Sequence, residues 1–388
     1  MEKQLNLPKL RFPEFEGAWE KKKLGEITNK INSGKTPLGG ESVYVEYGII
    51  FIRSQNVLEN ELSIRNSTYI TESVNNTMRN SIVMPNDILL NITGASLGRS
   101  CVVPNDFQIG NVNQHVCIIR INNQNNPRFI QPVFASEKGQ NLFTSLQTGS
   151  GREGLNFQSI KGISLFYPCP SEQTKIATFL SAVDDKLQAL KKKKSLLEEY
   201  KKGVMQKLFS QELRFKDKDG DEFPEWEEKK MNEICKSISS GKTKPELDGA
   251  YLVYGSTGVI GLSTSYTHNG KFLLVARVGA NAGTINIANG MFCVTDNTLV
   301  IEVENNVDID YIYYSILDFG LNKLVFGSGQ PLITGGQVKS LIINFPCLPE
   351  QIKIASFLTS IDEKIKQCSG QIEKTEEWKK GMLQQMFV

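Results

Sequence analysis

The sequence predicts an α+β fold of pseudo-twofold plan. Two similar mixed α/β globular regions are separated by two long helices that pair as an antiparallel coiled coil. Three observations predict it. The chain of 388 residues is written twice: Pro13, Trp19-Glu20-Lys21-Lys22-Lys23-Leu24-Gly25-Glu26-Ile27 and Ser33-Gly34-Lys35-Thr36 return as Pro224, Trp226-Glu227-Glu228-Lys229-Lys230-Met231-Asn232-Glu233-Ile234 and Ser240-Gly241-Lys242-Thr243. From the tryptophan onward the offset is 207 (226 − 19). Later, Pro168-Cys169, Glu172-Gln173, Lys175-Ile176-Ala177 and Phe179-Leu180 return as Pro346-Cys347, Glu350-Gln351, Lys353-Ile354-Ala355 and Phe357-Leu358, at an offset of 178 (350 − 172). The third observation is periodicity. It switches from short β-rich runs to a long heptad stripe, once in each copy.

In chain order, the first globular region occupies 1–168. Its β-rich runs, Gly48–Ile52, Ile88–Ile92 and Val116–Ile121, are punctuated by glycine turns such as Gly94-Ala95-Ser96-Leu97-Gly98. A central helix follows in 169–212. It starts after the Pro168-Cys169-Pro170 lead-in, where proline forbids helix upstream. Leu180, Val183, Leu187, Leu190 and Leu197 form its seam, interrupted by Lys194 and Lys201. The second globular region, 213–346, carries runs at Lys271–Val275 and Asn297–Val303 and a matching turn, Gly279-Ala280-Asn281-Ala282-Gly283. The distal helix, 347–388, repeats the seam as Leu358, Ile361, Ile365, Cys368 and Ile372. A helix of about 38 residues is about 57 Å long and cannot leave such a seam exposed, so each helix is expected to pair with its copy. Tyr200 and Trp378 occupy equivalent positions and are expected to be buried where the helix ends meet a partner, and Cys169 and Cys347 are expected as small buried hydrophobes.

The offset falls from 207 at Tyr47-Gly48 to 185 at Gly94, so the first copy carries 22 extra residues (207 − 185) between those points. It falls by seven more before the helices. Frames agree and interiors differ, so if both copies bind something, they bind different things. Two similar surfaces about a pseudo-twofold suit a partner that is itself twofold, such as duplex DNA.

Composition excludes several classes. No run approaches the roughly 18 apolar residues of a membrane span, and the segment Met1–Asn6 has no secretory core, so a cytoplasmic chain with reduced thiols is expected from its seven cysteines. Two histidines, His115 and His268, leave little for a metal or acid–base site. The net charge of +2 gives no global basic bias, so any nucleic-acid role needs local basic surface. Ser33-Gly34-Lys35-Thr36 and its copy resemble the end of a P-loop. The motif's earlier glycine is replaced by Asn29 and Lys236, and Pro37 and Pro245 obstruct the helix that must follow. A lysine and hydroxyl reaching phosphate from a turn, or a solvated turn, are the readings that stay open. Asn126-Pro127-Arg128-Phe129 lacks the second proline of an adenine methyltransferase loop, and Asp362-Glu363-Lys364, matched by Asp184-Asp185-Lys186, belongs to a helix face rather than a nuclease site. No catalytic and no metal residues are nominated.

The doubled lead-ins at Pro13 and Pro224 and the doubled helix signature, Pro168 to Leu180 and Pro346 to Leu358, resemble the specificity (S) subunit of type I restriction–modification systems. So do Tyr251–Gly261 and Val294-Thr295-Asp296-Asn297 in the second region. The resemblance covers nearly the whole chain. It implies a non-catalytic reader of duplex DNA in which each globular region is a target-recognition domain for one half of an asymmetric bipartite sequence. The helices would set the spacer and dock two methyltransferase (modification) subunits, with restriction/translocase subunits further out. S-adenosylmethionine, ATP and Mg would sit on those partners, and no cofactor in this chain. A non-catalytic protein-interaction scaffold without a DNA role is the alternative, and a lone methyltransferase or nuclease fails for want of a site.

A DNA reader needs arginine for guanine and Asn or Gln for adenine, with lysines for phosphate. In the first region the candidates are Lys35, Arg53, Gln55, Asn56, Arg99, Asn113, Gln114 and Arg152. In the second they are Lys242, Lys244, Lys271, Arg277, Asn281, Asn297, Gln330 and Gln337. Each also has an ordinary use in a turn or surface pair. The run Lys191–Lys194 fits a solvated helix face better than a contact surface.

Overall fold

A computed structural model describes residues 7–65, 67–147, 154–327 and 331–388. The chain forms two compact units, 1–190 with 371–388, and 191–370. The boundaries drawn from sequence put each helix in a segment of its own. The contacts instead divide both helices, Pro170–Phe209 and Leu348–Met386, between the units.

Both units are built on the same four strands. In the first, an antiparallel sheet runs in the order Thr28–Ser33, Val116–Ile121, Ile88–Asn91, Ser100–Val102. In the second, Cys235–Ser240, Thr298–Val303, His268–Ala276 and Ile285–Val294 take the same order. Each unit closes its base with a two-stranded ribbon, Glu20–Lys23 with Ser164–Tyr167, and Glu227–Lys230 with Ile342–Phe345. The doubled Trp-Glu…Lys text is thus a ribbon strand whose tryptophan leads into the core. Trp19 is 3% exposed.

The 22 extra residues have a structural address. In each unit a further strand makes a parallel pair, Ile49–Ile52 with Gly110–Val112 in a separate sheet, and Tyr251–Gly255 with Phe292–Val294 on the edge of the same four strands. In the second unit that strand turns straight back as the hairpin partner Gly258–Ser263. In the first unit the chain detours through Thr68–Ile70, a short helix Glu72–Asn76 and Ile82–Val83, which complete a five-stranded sheet. Phe51, Ile70 and Met78 form a small core beneath it.

The helix signature Glu-Gln is explained by burial. Glu172 and Glu350 are fully buried and each takes an arginine from the segment leading into its unit: Arg11 at 2.7 and 2.8 Å, Arg214 at 2.9 and 3.2 Å. The arginines belong to a repeated Leu-Arg-Phe, Leu10-Arg11-Phe12 and Leu213-Arg214-Phe215. Its phenylalanines pack edge-on against Phe179 and Phe357. Gln173 and Gln351 donate to the carbonyls of Pro168 and Pro346 and accept from the amides of Asn126 and Asp308, fixing the helix start to its globular region.

Within each unit a segment of one long helix lies beside a segment of the other. In the first, Leu180, Leu383, Met386 and Phe387 share one core with Trp19 and Phe129. In the second, Met205, Leu208, Phe209, Ile354, Leu358 and Ile361 do the same around Tyr311. Val183 and Leu187 are buried, whereas Leu190, Leu197, Ile365 and Ile372 are half-buried. Tyr200 and Trp378 are 53% and 45% exposed in the chain by itself, Trp378 packing edge-to-face with Phe179. The expectation for the two cysteines needs correcting. Cys169 is exposed and Cys347 half-buried, because both lie in the lead-in before the helix rather than on its seam.

Candidate nucleic-acid interface

The Ser-Gly-Lys-Thr turn is where the site begins, and its glycine is dictated by space. A Cβ on Gly34 would lie 1.6 Å from the carbonyl oxygen of Val112, and one on Gly241 would lie 2.0 Å from that of Val294. The chain leaves the edge of the sheet by crossing directly over the neighbouring backbone, which only glycine permits. Lys35 and Lys242 follow the crossing and are exposed.

Three further loops converge on the same end of each unit. The residue after the parallel strand pair donates back to it, Asn113 N–H to Ile52 O at 3.1 Å and Thr295 N–H to Tyr254 O at 3.0 Å. The next turn ties to the glycine turn, Ile92 N–H to His115 O at 3.0 Å and Arg277 N–H to Asn297 O at 2.9 Å. Gly94–Gly98 and Gly279–Gly283 share one hydrogen-bond pattern, with positive φ at both glycines of each turn. A fourth strand of chain arrives through Leu155 N–H to Ile92 O and Ile333 N–H to Arg277 O, both 2.9 Å.

The nominated side chains divide accordingly. Lys35, Gln55, Arg99 and Gln114 are exposed in the first unit, as are Lys242, Lys244, Asn281 and Asn297 in the second. Arg53 and Arg277 are half-buried at the convergence, and the Nε of each is buried without a partner. Arg277 Nη1 reaches the carbonyl of Asp296 at 3.4 Å. Others are engaged by the fold, so their position speaks for a structural role. Asn56 is buried, accepting from Arg53 N–H and donating to Ser63 O. Asn113 is buried, its Oδ1 accepting from His115 N–H. Gln337 takes the amide and hydroxyl of Thr334 and donates to Leu324 O. Lys271 pairs with Asp310 at 2.5 Å. Arg152 and Gln330 lie outside the described residues, although they match one another in sequence within Gly149-Ser150-Gly151-Arg152 and Gly327-Ser328-Gly329-Gln330.

The sequence reading missed a polar relay in the first unit. Thr36 Oγ1 donates to Gln114 Oε1 at 2.8 Å, Gln114 Nε2 bonds His115 Nε2 at 3.1 Å, and His115 Nδ1 bonds Thr93 Oγ1 at 2.6 Å. An amide nitrogen only donates, so Nε2 is the acceptor in this bond and Nδ1 is left to face Thr93. The relay pins Gln114 beside the Lys35 turn. Its only signal in the sequence is that Thr36 and Gln114-His115 follow the doubled frame, which does not reveal that they meet. His268 in the second unit is of another kind: it stacks on Phe292 at 5.3 Å, and burial holds its imidazole below the ordinary value. Among the described residues no group of His, Cys, Asp and Glu could hold a metal ion, and no helix is long and apolar enough to cross a membrane.

A family model described as the type I restriction modification DNA specificity domain matches residues 16–199 and again 224–377. The chain is 23% identical over 409 residues to a putative type I restriction enzyme MjaX specificity subunit from Methanocaldococcus jannaschii, covering 98% of this chain and 95% of that one. It is 30% identical over 112 residues to the type I restriction enzyme EcoprrI specificity subunit of Escherichia coli, a match spanning only 28% of that relative's length. Among solved structures, the S subunit of a type I restriction–modification system from M. genitalium superposes with a TM-score of 0.67, covering 98% of this chain and 99% of that one at 14% identity. A chain from a study of complex assembly and conformational transition of the type I R-M system gives 0.54 at 16% identity, covering 94% and 96%. At these identities the superpositions speak to fold.

Proposed function

Since this chain belongs to the type I restriction–modification DNA specificity family, we propose that it reads an asymmetric bipartite target in duplex DNA, one half-site per unit. In this family catalysis lies on partner subunits, and this chain is not the enzyme of its system. One observation carries the finer reading. Four loops converge in the same way in both units and share the lysine of the crossing turn, Lys35 and Lys242, yet the other exposed side chains differ, Gln55, Arg99 and Gln114 against Lys244, Asn281 and Asn297. Equal scaffolds with unequal readers suit two unlike half-sites on a partner that is itself a double strand. The lysines would fix register on phosphates, and the Asn, Gln and Arg side chains would read base edges.

In this reading the long helices act as the ruler that sets the spacer. Their exposed faces dock two modification subunits, which carry S-adenosylmethionine, and restriction/translocase subunits that use ATP and Mg join outside. With genomic DNA as ligand, the chain works in the cytoplasm. The deciding experiment is co-expression with the cognate modification subunit and single-molecule mapping of methylated adenines across a genome. Methylation at one bipartite asymmetric motif is expected, and exchange of residues 20–165 for those of another such chain should change only one half of it. A cofactor-loaded complex that methylates nothing would leave a protein-interaction scaffold as the better account.

A further inference from the structure

The two units differ at one point beneath the reading loops. In the first unit, Val116 pairs with Asn91 across the central strands, and Leu89 with Cys101. In the second, the same register positions hold Thr298 with Ala276, and Leu274 with Asn286. Asn91 fills its side of the first sheet by donating to the carbonyl of Ser54 at 2.9 Å, and Val57, Leu62 and Val83 from the extra segment close the space over Val116 and Cys101. The second unit has no such segment and only an alanine at the asparagine's place. A pocket of 220 Å³ remains there, roofed by Tyr254 and the turn 255–258 and floored by Leu274, Ala276, Asn286 and Thr298.

The pocket is not simply apolar. Thr298 is 1% exposed, and its hydroxyl has no hydrogen-bond partner. Buried hydroxyls in native folds are paired with protein groups or water, so this one is open to a partner in the pocket. One water needs only about 10–15 Å³ of such space, so the room exceeds a water's by an order of magnitude. A hydroxyl and an amide, each able to donate and accept, stand between apolar walls beside an aromatic ring. That combination fits a flat heterocycle with donors and acceptors on its edge. The rim points the same way, because Arg277 follows Ala276, Asn297 precedes Thr298, and the two are tied by the 2.9 Å bond between them.

We propose that the second unit draws one base of its half-site out of the helix into this pocket, held by Thr298 and Asn286 beside Tyr254, while the first unit itself draws out none. The inference rests on the DNA-reading function above. An extruded base costs unstacking, which a pocket completing an orphaned hydroxyl offsets, and it gives discrimination that edge contacts in the groove do not.

The test uses the full chain assembled with its modification subunits on a duplex carrying the mapped target. The half-site of the second unit is the half left unchanged by exchanging residues 20–165. A fluorescent base analogue, 2-aminopurine or pyrrolocytosine, replaces each base of that half in turn. The methylated adenine is left out, because methyltransferases extrude their own substrate base. One position should brighten several-fold on binding, and none should in the other half. Ala276→Asn, which installs the first unit's filler, and the isosteric Thr298→Val should each remove that rise and weaken target binding by about tenfold, the scale of one lost hydrogen bond. Full-affinity binding with no rise at any position overturns the pocket and leaves the reader intact. A rise that both variants preserve also overturns it. A complex that binds no DNA at all overturns the reader, and the pocket with it.

Discussion

Lys201 and Asp362 form an ion pair at 2.6 Å in the second unit, and the residues 178 positions away, Lys379 and Asp184, form the same pair in the first. The lysine that breaks the apolar stripe of one helix is therefore answered by an aspartate on the other, once per unit. Lys379 keeps only 9% of its side chain exposed, whereas Asp184 keeps 31%. Removing the acid strands a nearly buried ammonium, while removing the lysine frees a carboxylate that water can reach. Asp184→Ala should cost about 3 kcal/mol and Lys379→Met clearly less. Urea denaturation of the two variants checks the order, and equal losses would mean that the lysine is better hydrated than its burial implies.

The arginine clamps make an unequal pair. Glu350 accepts from Arg214 and also from Trp226 Nε1 at 2.9 Å, whereas Trp19 Nε1 has no partner and Glu172 depends on Arg11. Arg11→Met should destabilise the first unit by about 3 kcal/mol, because a buried carboxylate loses its counter-charge. Arg214→Met should cost the second unit about 1 kcal/mol less, since the indole bond persists. Melting curves of the two variants decide, and the reverse order would show Trp19 turning to replace the arginine.

Phosphate contact by the crossing turns predicts a salt signature. Lys35→Ala and Lys242→Ala should each lower the slope of log affinity against log salt by about 0.9, with the recognised motif unchanged. Asn297→Ala should leave that slope alone and relax one position of one half-site. Binding titrations from low to moderate salt separate the two classes, and a lysine variant that changes the motif would move it to the base readers.

Acid should weaken the second unit through His268. Its imidazole is held below the ordinary value of 6.5 by burial against Phe272 and Phe292, an effect that Glu302 only partly opposes. The folded state then binds fewer protons than the unfolded one as pH falls through 6.5, so stability present above that pH is lost below it until the folded imidazole also protonates. His268→Phe should flatten this part of the stability profile. An unchanged profile would place the acid sensitivity elsewhere.

Much of the frame was legible because duplication exposes it. The helix bounds, the ribbon tryptophans and the strands at Ile88, Val116, His268 and Thr298 all sit on repeated or periodic text. The buried Glu172-Gln173 was visible as a repeat but not as a clamp, since Arg11 and Glu172 meet across 161 positions. A span of 78 positions hides the bond from Thr36 to Gln114, whereas the burial of Asn56 comes from a local turn, through Arg53 and Ser63, that residue type does not reveal. Polar residues are chosen for sites by type, but three-dimensional turns decide which of them are already engaged. The domain boundaries placed at 168 and 346 follow composition, whereas the cores follow contacts, and a helix can belong to two cores at once.

That last feature bears on the order in which the molecule is completed during synthesis. The second unit draws on one unbroken stretch, 191–370, but the first waits for 371–388, whose Leu383, Met386 and Phe387 line the core around Trp19. The region made first is thus finished last, a reversal of the usual N-to-C sequence. Ribosome-bound chains stalled with about 370 residues exposed should resist protease in the second unit while remaining cleavable in the first. Protection of both at that length would show that the early-born region closes without its late-arriving residues.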